Sequence, residues 1–448
     1  MGMLKTFKIG GVHPAENKLT KDKQTEVLLP PKQAVFPLSQ HIGAPAVPCV
    51  QKGDQVKVGT MIATAGGFVS ANIFSSVSGK VSKIDSVLDA SGYRKPAIII
   101  DVEGDDWEES IDRSEQLVKE CNLTPEEIIA KIKDAGLVGL GGACFPVHVK
   151  MMPPKDAVID YIVINAVECE PYLTSDHRLM LEHPEEIMVG LSIMMKALNV
   201  KQARIGIEIN KPDAIAVMTE KAKAYSGIEV VPLKTKYPQG GEKQLIDACT
   251  GRQVPPPPAI PANVGVVVQN VGTVYSIYEA VQKNKPLFER IVTVTGKSVK
   301  NPCNLKVRMG TPIAQLVEYA GGLPEDTGKL IGGGPMMGKT LMSQDIPTVK
   351  GTSGILMLPE TESVRKEERN CIRCAKCVGA CPMGLEPYLL ATLSENSDWE
   401  KAESDMIMSC IECGCCQSTC PSNRPLLDWV RLGKTTVGGI IRARNAKK

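Results

Sequence analysis

The sequence predicts a multidomain α/β protein, and three patterns indicate this fold class. Residues 106–285 alternate helical periodicity with continuous apolar runs such as Val158–Asn165 and Val264–Gln269, which are typical of buried parallel strands. Residues 30–105 contain short apolar runs broken by glycines, as in an all-β module. Residues 359–430 carry two runs of cysteines. We therefore expect a Rossmann-like α/β domain accompanied by an N-terminal β domain, a small mixed module and a helical cysteine-rich region.

Composition limits the possible functions. The chain of 448 residues is 43% hydrophobic, which allows several cores, and its net charge of +2 gives no case for nucleic-acid binding. No apolar run approaches the ~18 residues of a membrane span. Met1–Val12 also lacks the apolar stretch of a secretory signal. We expect a soluble cytoplasmic protein or a peripheral subunit of a membrane complex.

The first two regions are an N-terminal extension, residues 1–29, and a β domain, residues 30–105. Glycine turns in the β domain separate the candidate strands Gln55–Val58, Met61–Ala65 and Lys80–Ile84. Lys52–Gly59 followed by Ser75–Val81 resembles the sequence of a lipoyl or biotinyl domain, in which a hairpin lysine carries the prosthetic group. No lysine lies between Lys57 and Lys80. We therefore expect a barrel-sandwich hybrid scaffold without a swinging arm.

Residues 106–285 form the predicted α/β domain. Thr124, Pro125 and Glu127 form a capping box that starts a helix extending to Gly136. Further elements are expected at Glu185–Leu198 and Ala214–Tyr225, as helices, and at Ala203–Ile209, as a strand.

Two segments of this domain are candidates for ligand binding. Gly136–Pro146 is rich in glycine, so backbone amides in it can approach a phosphate or a planar ring, although many glycine loops are only turns. Asn165–Pro171 follows a predicted parallel strand, and the carboxyl ends of such strands bind ligands in α/β sheets. A solvated acidic loop is the alternative for this second segment.

Residues 286–358 are expected to form a β-grasp (SLBB-like) module. Ile291–Thr295 and Leu305–Arg308 are candidate strands, and a helix starting at Thr311-Pro312 ends at Gly321. Gly332-Gly333-Gly334 is a candidate phosphate loop. Because Pro335 follows it and no helix start is evident, we expect a structural turn.

The cysteine-rich region, residues 359–430, repeats the bacterial ferredoxin pattern C-x2-C-x2-C-x3-C-P, in which each fourth cysteine ligates the other [4Fe–4S] cluster. The first cluster would take Cys371, Cys374, Cys377 and Cys420. The second would take Cys410, Cys413, Cys416 and Cys381. Zinc is the alternative, but a zinc site requires neither the third C-x2-C step nor the proline. The pattern therefore predicts single-electron transfer.

The remaining cysteines and the C-terminus have simpler interpretations. Disulfides are not expected, because the 15 cysteines are an odd number and no signal directs the chain to an oxidising compartment. The cysteines outside metal spacing are expected to be buried apolar residues: Cys49, Cys121, Cys249, Cys303 and Cys415. The basic tail, residues 431–448, has no acid and either contacts a partner or anionic lipid, or is a solvated end.

Several segments of the α/β domain resemble the flavin-carrying, NADH-oxidising subunit of respiratory complex I. Residues 136–150 are similar to the glycine-rich loop of that family, and residues 165–178 to its Asn-Ala-…-Glu-x-Glu-Pro segment. Tyr237–Glu242 and Gln269–Thr273 resemble its later flavin contacts, in the same order. The likeness extends over about 150 residues.

The whole chain is more similar to a second family, the C subunits of the Rnf complex. Gly10–Pro14, the domain order and the ending Cys420–Leu426 carry this resemblance. It implies a membrane-associated ferredoxin:NAD⁺ oxidoreductase that couples electron flow to Na⁺ or H⁺ pumping. The implied cofactors are FMN and two [4Fe–4S] clusters, with NAD(H) as substrate. The implied partners are other subunits, including an iron–sulfur subunit that accepts electrons from ferredoxin, on the cytoplasmic face of the membrane.

The resemblance also implies the site residues. The positions that match flavin contacts are Gly139, Gly141, Gly142, Lys150, Asn165, Glu168, Asn270 and Thr273. Those that match nicotinamide-nucleotide contacts are Phe145, which would stack on an aromatic ring, Glu170 and Glu242. There are three departures. Leu140 replaces an arginine of complex I, Val167 replaces an aspartate, and Gly241 replaces one glutamate of a pair.

A flavin beside two clusters is a complete unit for converting hydride transfer into single-electron transfer. We expect electrons to pass from reduced ferredoxin through another subunit, the clusters and FMN to NAD⁺, or in reverse. One alternative is a cobalamin reductase of the same superfamily, although those proteins begin near the glycine loop and about 135 residues precede it here. The other is an electron-relay adaptor with a vestigial nucleotide site, which the three departures would fit.

Overall fold

Four β-sheets organise the protein. The computed structural model describes residues 4–446, in which the sheets contain six, four, four and three strands. One four-stranded sheet is wholly parallel, two sheets are antiparallel, and the six-stranded sheet is mixed. This combination agrees with the predicted multidomain α/β class.

The N-terminal extension packs on other domains instead of forming one of its own. Lys5 and Val12 make isolated bridges with Leu233 and Tyr237 of the α/β domain. The extension then forms strand β1 (Thr25–Val27), which joins the six-stranded sheet beside a strand nearly 280 residues later in the chain.

The N-terminal β domain contains seven strands: β2 (Gln33–Pro37), β3 (Val47–Pro48), β4 (Gln55–Val56), β5 (Met61–Thr64), β6 (Ile73–Phe74), β7 (Gly79–Leu88) and β8 (Arg94–Val102). They form two antiparallel sheets, ordered β2-β8-β7-β4 and β3-β5-β6, as expected of a sandwich. Phe36, Ile62 and Ile100 lie in the core. The prediction for Cys49 was wrong: it is exposed, because it follows the short strand β3 at the edge of the smaller sheet.

The α/β domain contains α1 (Pro125–Asp134), α2 (Val147–Lys150), β9 (Tyr161–Asn165), α3 (Ser175–Glu182), α4 (Pro184–Leu198), β10 (Gln202–Glu208), α5 (Pro212–Ala222), β11 (Ile228–Leu233), α6 (Glu242–Thr250), β12 (Val266–Asn270) and α7 (Val271–Gln282). Its parallel sheet has the order β11-β10-β9-β12, so the chain reverses direction across the sheet between β9 and β12. Ligands bind at such a switch point, outside the carboxyl ends of the strands.

The mixed sheet contains β1 and the strands of the β-grasp module, which are β13 (Glu289–Thr295), β14 (Cys303–Arg308), β15 (Thr327–Gly332), β16 (Lys339–Thr340) and β17 (Gly354–Pro359). The sheet order is β1-β14-β13-β17-β15-β16. Helix α8 (Ile313–Tyr319) packs its residues Ile313 and Leu316 into the core of this module.

The cysteine-rich region is helical, with α9 (Glu360–Ser363), α10 (Lys376–Ala380), α11 (Pro387–Glu395), α12 (Trp399–Ser404), α13 (Cys415–Ser418) and α14 (Leu426–Ala446). The basic tail is helical as far as Ala446, because α14 includes it, and Val437 is buried against the region's core, whereas residues 442–446 are exposed, as the solvated-end interpretation expects. Lys447 and Lys448 lie outside the described residues. No helix within residues 4–446 is long and apolar enough to cross a membrane.

The local sequence signals were accurate at helix starts. The Thr124 hydroxyl accepts from the Glu127 amide, and the Glu127 carboxylate accepts from the Thr124 amide, so the capping box at α1 is confirmed. The helix ends at Asp134, two residues before the predicted end at Gly136, whose φ of +65° is left-handed.

The close contact between α4 and α7 gives a stability prediction. A Cβ on Gly190 of α4 would overlap the Val274 carbonyl of α7, whereas a Cβ on Gly439 of α14 would meet only the far end of Arg442, at 4.0 Å. We expect Gly190→Ala to destabilise the fold by about 1–3 kcal/mol through overpacking, despite the higher helix propensity of alanine.

The matched control, Gly439→Ala, is expected to stabilise by up to about 1 kcal/mol, because only the propensity changes. Melting temperatures followed by circular dichroism would measure both variants. Equal shifts in the same direction would show that the two helices do not pack as closely as described.

Candidate functional site

The glycine-rich loop closes on itself and presents bare backbone at its tip. Val138 and Pro146 form an antiparallel bridge, and the Gly139 amide donates to the Phe145 carbonyl at 2.9 Å. Gly142 is exposed, with φ of +144°, and no atom lies within 4 Å of where its Cβ would be. The tip can therefore approach a ligand closely without a side chain between them.

The loop is held against the start of α7 by two of the predicted flavin contacts. The Leu140 amide donates to the Thr273 hydroxyl at 2.9 Å. Asn270 caps α7, because its Oδ1 accepts from the Gly272 amide at 2.9 Å, and a Cβ on Gly141 would touch its side chain. Since Asn270 is also in register with Asn165 across β12 and β9, the loop lies at the switch point of the sheet.

An ion pair joins the end of α2 to the start of α6. Lys150 donates to Glu242 Oε1 at 2.7 Å and to the Val268 carbonyl at 3.2 Å, and both charged side chains are partly exposed. Asn165 Nδ2 donates to the Gly240 carbonyl at 2.8 Å, which ties the end of β9 to the turn before α6. Phe145, half-buried, flanks the same loop. The predicted cofactor residues of the glycine-rich loop, α2, β9 and α6 therefore lie together at one edge of the parallel sheet.

Two acids, Glu168 in the loop before α3 and Asp176 in its first turn, are held by hydrogen bonds and are not freely solvated. Glu168 accepts from the Asp176 amide at 2.8 Å and the His177 amide at 3.2 Å, so it caps this helix. Burial, and then the neighbouring charge of Glu168, raise the pKa of Asp176 to about 7, and its carboxylate accepts from Asn270 Nδ2 at 2.6 Å. Sequence reasoning missed Asp176, because nothing local distinguishes it from any acid in a first helical turn.

Glu170 faces the β-grasp module. Its carboxylate accepts from the Met336 amide at 3.1 Å and the Met337 amide at 2.8 Å, in the turn that follows Gly332-Gly333-Gly334. Burial raises its pKa to about 7. The triple glycine therefore belongs to a structural turn, and Glu170 attaches that turn to the α/β domain. A contact between Glu170 and a nucleotide stays a prediction.

Tyr237 joins the α/β domain to the cysteine-rich region. Its hydroxyl donates to the Cys413 carbonyl at 2.9 Å, and its main chain exchanges hydrogen bonds with Val12 at 2.8 and 2.9 Å. The side chain is only 1% exposed and packs with Ala380 and Cys415. We call this group of contacts the Tyr237 junction.

The second predicted cluster set surrounds one cavity. A cavity of about 20 Å³ is lined by all four of its cysteines, Cys381, Cys410, Cys413 and Cys416. Burial, and then the thiols of the other three, raise the pKa of Cys416 to about 12. Cys381, from the first run, therefore lies with the second run, as the ferredoxin pattern requires.

The first predicted set lies nearer the surface. The Arg369 amide donates to the Ser422 carbonyl and the Ser422 hydroxyl to the Asn370 carbonyl, both at 2.9 Å, which brings the start of the first run beside Cys420. Burial raises the pKa of Cys377, and the Cys420 thiol adds to the increase. The other two members of the set, Cys371 and Cys374, are exposed.

The donor sets fit clusters better than single ions. Within residues 4–446, no three His, Cys, Asp or Glu side chains converge on one metal-ion position. A zinc ion needs such convergence, whereas a cube-shaped cluster is held by thiolates spread around a cavity. The four cysteines that line that cavity, among mostly apolar neighbours, are the donor set that iron–sulfur clusters use.

Family models match four consecutive parts of the chain. They are an RnfC barrel sandwich hybrid domain at residues 5–105, a Nuo51 FMN-binding domain at 132–279, an SLBB domain at 291–340 and a 4Fe-4S dicluster domain at 363–421. A solved NAD+-reducing [NiFe]-hydrogenase, air-oxidized, has a TM-score of 0.48 at 20% identity over 62% of this chain and 54% of its own.

Two curated relatives cover most of the chain. The C subunit of the proton-translocating ferredoxin:NAD(+) oxidoreductase complex of Clostridium ljungdahlii is 46% identical over 90% of this chain and 87% of its own. Its Na(+)-translocating counterpart from Acetobacterium woodii is 44% identical over 96% of this chain and 97% of its own. The chain belongs to the RnfC family. The predicted resemblance is confirmed, as are the FMN and [4Fe–4S] cofactors.

The predicted flavin contacts of this RnfC-family chain include donors that suit FMN. The ammonium of Lys150 and the open tip at Gly142 provide a cation and bare backbone, groups that hold phosphates. A buried donor, Arg290 Nε, has no hydrogen-bond partner within residues 4–446. Its guanidinium contacts the Leu140 carbonyl at 3.4 Å, so a cation lies beside the position where complex I has an arginine.

Cross-ligation between the two runs gives a prediction with opposite outcomes for two double variants. Cys381→Ser with Cys410→Ser removes two ligands of one cluster, so we expect about half of the iron, about four atoms, to remain. Cys371→Ser with Cys381→Ser removes a ligand from each cluster, so we expect both to be lost.

Iron and sulfide analysis after anaerobic reconstitution would measure this outcome. Cys415→Ala, which alters a buried cysteine outside both sets, is the control and should retain all the iron. The opposite result would show that each run binds its own cluster. In that case Cys371→Ser with Cys381→Ser would keep one cluster, and Cys381→Ser with Cys410→Ser would keep none.

Proposed function

We propose that this chain is a peripheral subunit, on the cytoplasmic face of the membrane, that connects NAD(H) with the other subunits of a ferredoxin:NAD⁺ oxidoreductase. The names of its relatives describe subunits of ion-translocating complexes. The single observation that carries the proposal is the Tyr237 junction, which places the second cysteine set directly against the FMN-binding domain.

Each part of the site has a separate task in this proposal. FMN, when bound, supplies the chemistry that exchanges a hydride with NAD and single electrons with a cluster. Lys150 binds the phosphate in exchange for part of its interaction with Glu242, and the glycine loop brings its amides against the cofactor. Phe145 orients the incoming nicotinamide nucleotide by stacking.

The two clusters occupy different depths. The second cysteine set is largely buried and adjoins Tyr237, whereas Cys371 and Cys374 of the first set are exposed. We call the second site the inner cluster and the first the outer cluster. When filled, the second set would hold the cluster that exchanges electrons with the flavin, and the first set the cluster that exchanges them with an iron–sulfur subunit.

The cobalamin reductase alternative is not favoured. The relative from Acetobacterium woodii aligns with 96% of this chain, so the match includes the barrel-sandwich domain before the glycine loop. Those 135 residues would have no counterpart in a protein that begins near that loop.

Anaerobic reduction tests the proposed function directly. After reconstitution with iron, sulfide and FMN, NADH should bleach first the flavin and then the cluster absorbance. Bound FMN that NADH leaves oxidised, while dithionite still reduces the clusters, would show a relay protein with a vestigial nucleotide site.

A single substitution tests the flavin site. Lys150→Met removes one charge-assisted hydrogen bond, an effect of about 1.5–3 kcal/mol, so the dissociation constant for FMN should rise about ten- to a hundredfold. Quenching of flavin fluorescence on binding would measure it. Lys155→Met, at an exposed lysine on the loop after α2, should bind FMN normally. Normal binding by both variants would place the phosphate elsewhere.

A further inference from the structure

The segment before and within the first cysteine run is exposed throughout. Residues 364–376 are all exposed, and they have no regular secondary structure before Lys376, where α10 begins. Two apolar side chains in the segment, Val364 and Ile372, are 65% and 68% exposed. Irregular, exposed backbone with large apolar side chains is a common feature of surfaces that bind partners.

The same segment is strongly basic. It carries five cations and two acids, namely Arg365, Lys366, Arg369, Arg373, Lys376, Glu367 and Glu368. Arg365 pairs with Asp428, and Glu368 lies 3.7 Å from Arg424. Within residues 4–446, the other four cations form no ion pair with a carboxylate. Because the whole chain has a net charge of only +2, this excess of positive charge is local to the segment.

Two of these cations lie within the first cysteine run. Ile372 and Arg373 lie between Cys371 and Cys374, and Lys376 precedes Cys377. An apolar centre with a charged rim is the usual anatomy of an interface, and a patch of one sign steers an oppositely charged partner to it. A partner that docks on this patch would lie directly over the exposed cluster ligands.

We propose that residues 364–376 form the docking surface for a one-electron carrier protein with an acidic face. The inference rests on the proposed function, because the carrier that docks on this surface is the iron–sulfur subunit that exchanges electrons with the outer cluster. One electron passes from the reduced carrier, which is oxidised, to the outer cluster, which is reduced, and no proton or bond moves. An anionic membrane is the other possible occupant, but it delivers no electron, and the segment lacks the amphipathic helix that lipid surfaces bind.

Charge reversal tests the surface. The test variant combines Lys366→Glu, Arg369→Glu and Lys376→Glu, and the control makes the same number of reversals on the β domain, Lys52→Glu, Lys57→Glu and Lys80→Glu. All six residues are exposed. The probe is a reduced, acidic two-cluster bacterial ferredoxin, which stands in for that iron–sulfur subunit and is mixed anaerobically with the oxidised protein in a stopped-flow spectrometer.

We expect the test variant to accept electrons about tenfold or more slowly at low ionic strength, with the difference shrinking at high salt. The control should differ from the unsubstituted protein by less than about twofold. Cationic cytochrome c, which takes electrons from the NADH-reduced protein, should react faster with the test variant. Iron content and flavin bleaching by NADH should be unchanged in both variants.

The proposal would be overturned if the test and control variants accepted electrons at the same rate, whether both were as fast as the unsubstituted protein or both were slowed equally. Undiminished electron transfer together with lost binding to phosphatidylserine vesicles would assign the patch to a membrane instead. If NADH failed to bleach the flavin while ferredoxin still showed the charge effect, the proposed function would fail and the docking surface would stand. If the triple variant loses iron, the double variant Lys366→Glu with Arg369→Glu replaces it, because it leaves Lys376, next to Cys377, unchanged. We expect the double variant to slow electron transfer by a smaller factor.

Discussion

The Tyr237 junction is the contact on which the electron path depends. One buried hydroxyl donates to the Cys413 carbonyl, and the main chain of the same residue pairs with Val12. The FMN-binding domain, the cysteine-rich region and the N-terminal extension therefore meet at a single side chain. A buried hydroxyl must keep its partner, because losing it would cost about 1–3 kcal/mol. The junction thus fixes the inner cluster against the flavin domain.

The surrounding contacts reinforce this position from two sides. Gly10 has φ of +66°, and a Cβ there would overlap the Cys381 carbonyl, so only glycine allows the extension to pass between the two domains. Glu170 attaches the β-grasp turn, and a Cβ on Gly414 would lie 3.0 Å from the Met336 carbonyl of that turn. The β-grasp module and the extension are therefore structural parts of the redox unit.

Much of this was predictable from local patterns, and the rest depends on contacts between distant segments. The capping box at Thr124, the buried strands and the twin cysteine runs have signals within a few residues. The pairing of β1 with β14 and the capping of α3 by Glu168 have no local signal, because they depend on segments that meet only in the folded chain. The roles of individual flavin and nucleotide residues stay predictions for the same reason.

The central claim is that the inner cluster lies between the flavin and the outer cluster. Freeze-quench electron paramagnetic resonance after NADH addition tests it, using FMN-loaded Cys371→Ser, which lacks the outer cluster, and Cys410→Ser, which lacks the inner one. We expect NADH to reduce the remaining cluster of Cys371→Ser as fast as in the unsubstituted protein, and that of Cys410→Ser far more slowly. The reverse result would contradict the order of the clusters and the role of the Tyr237 junction.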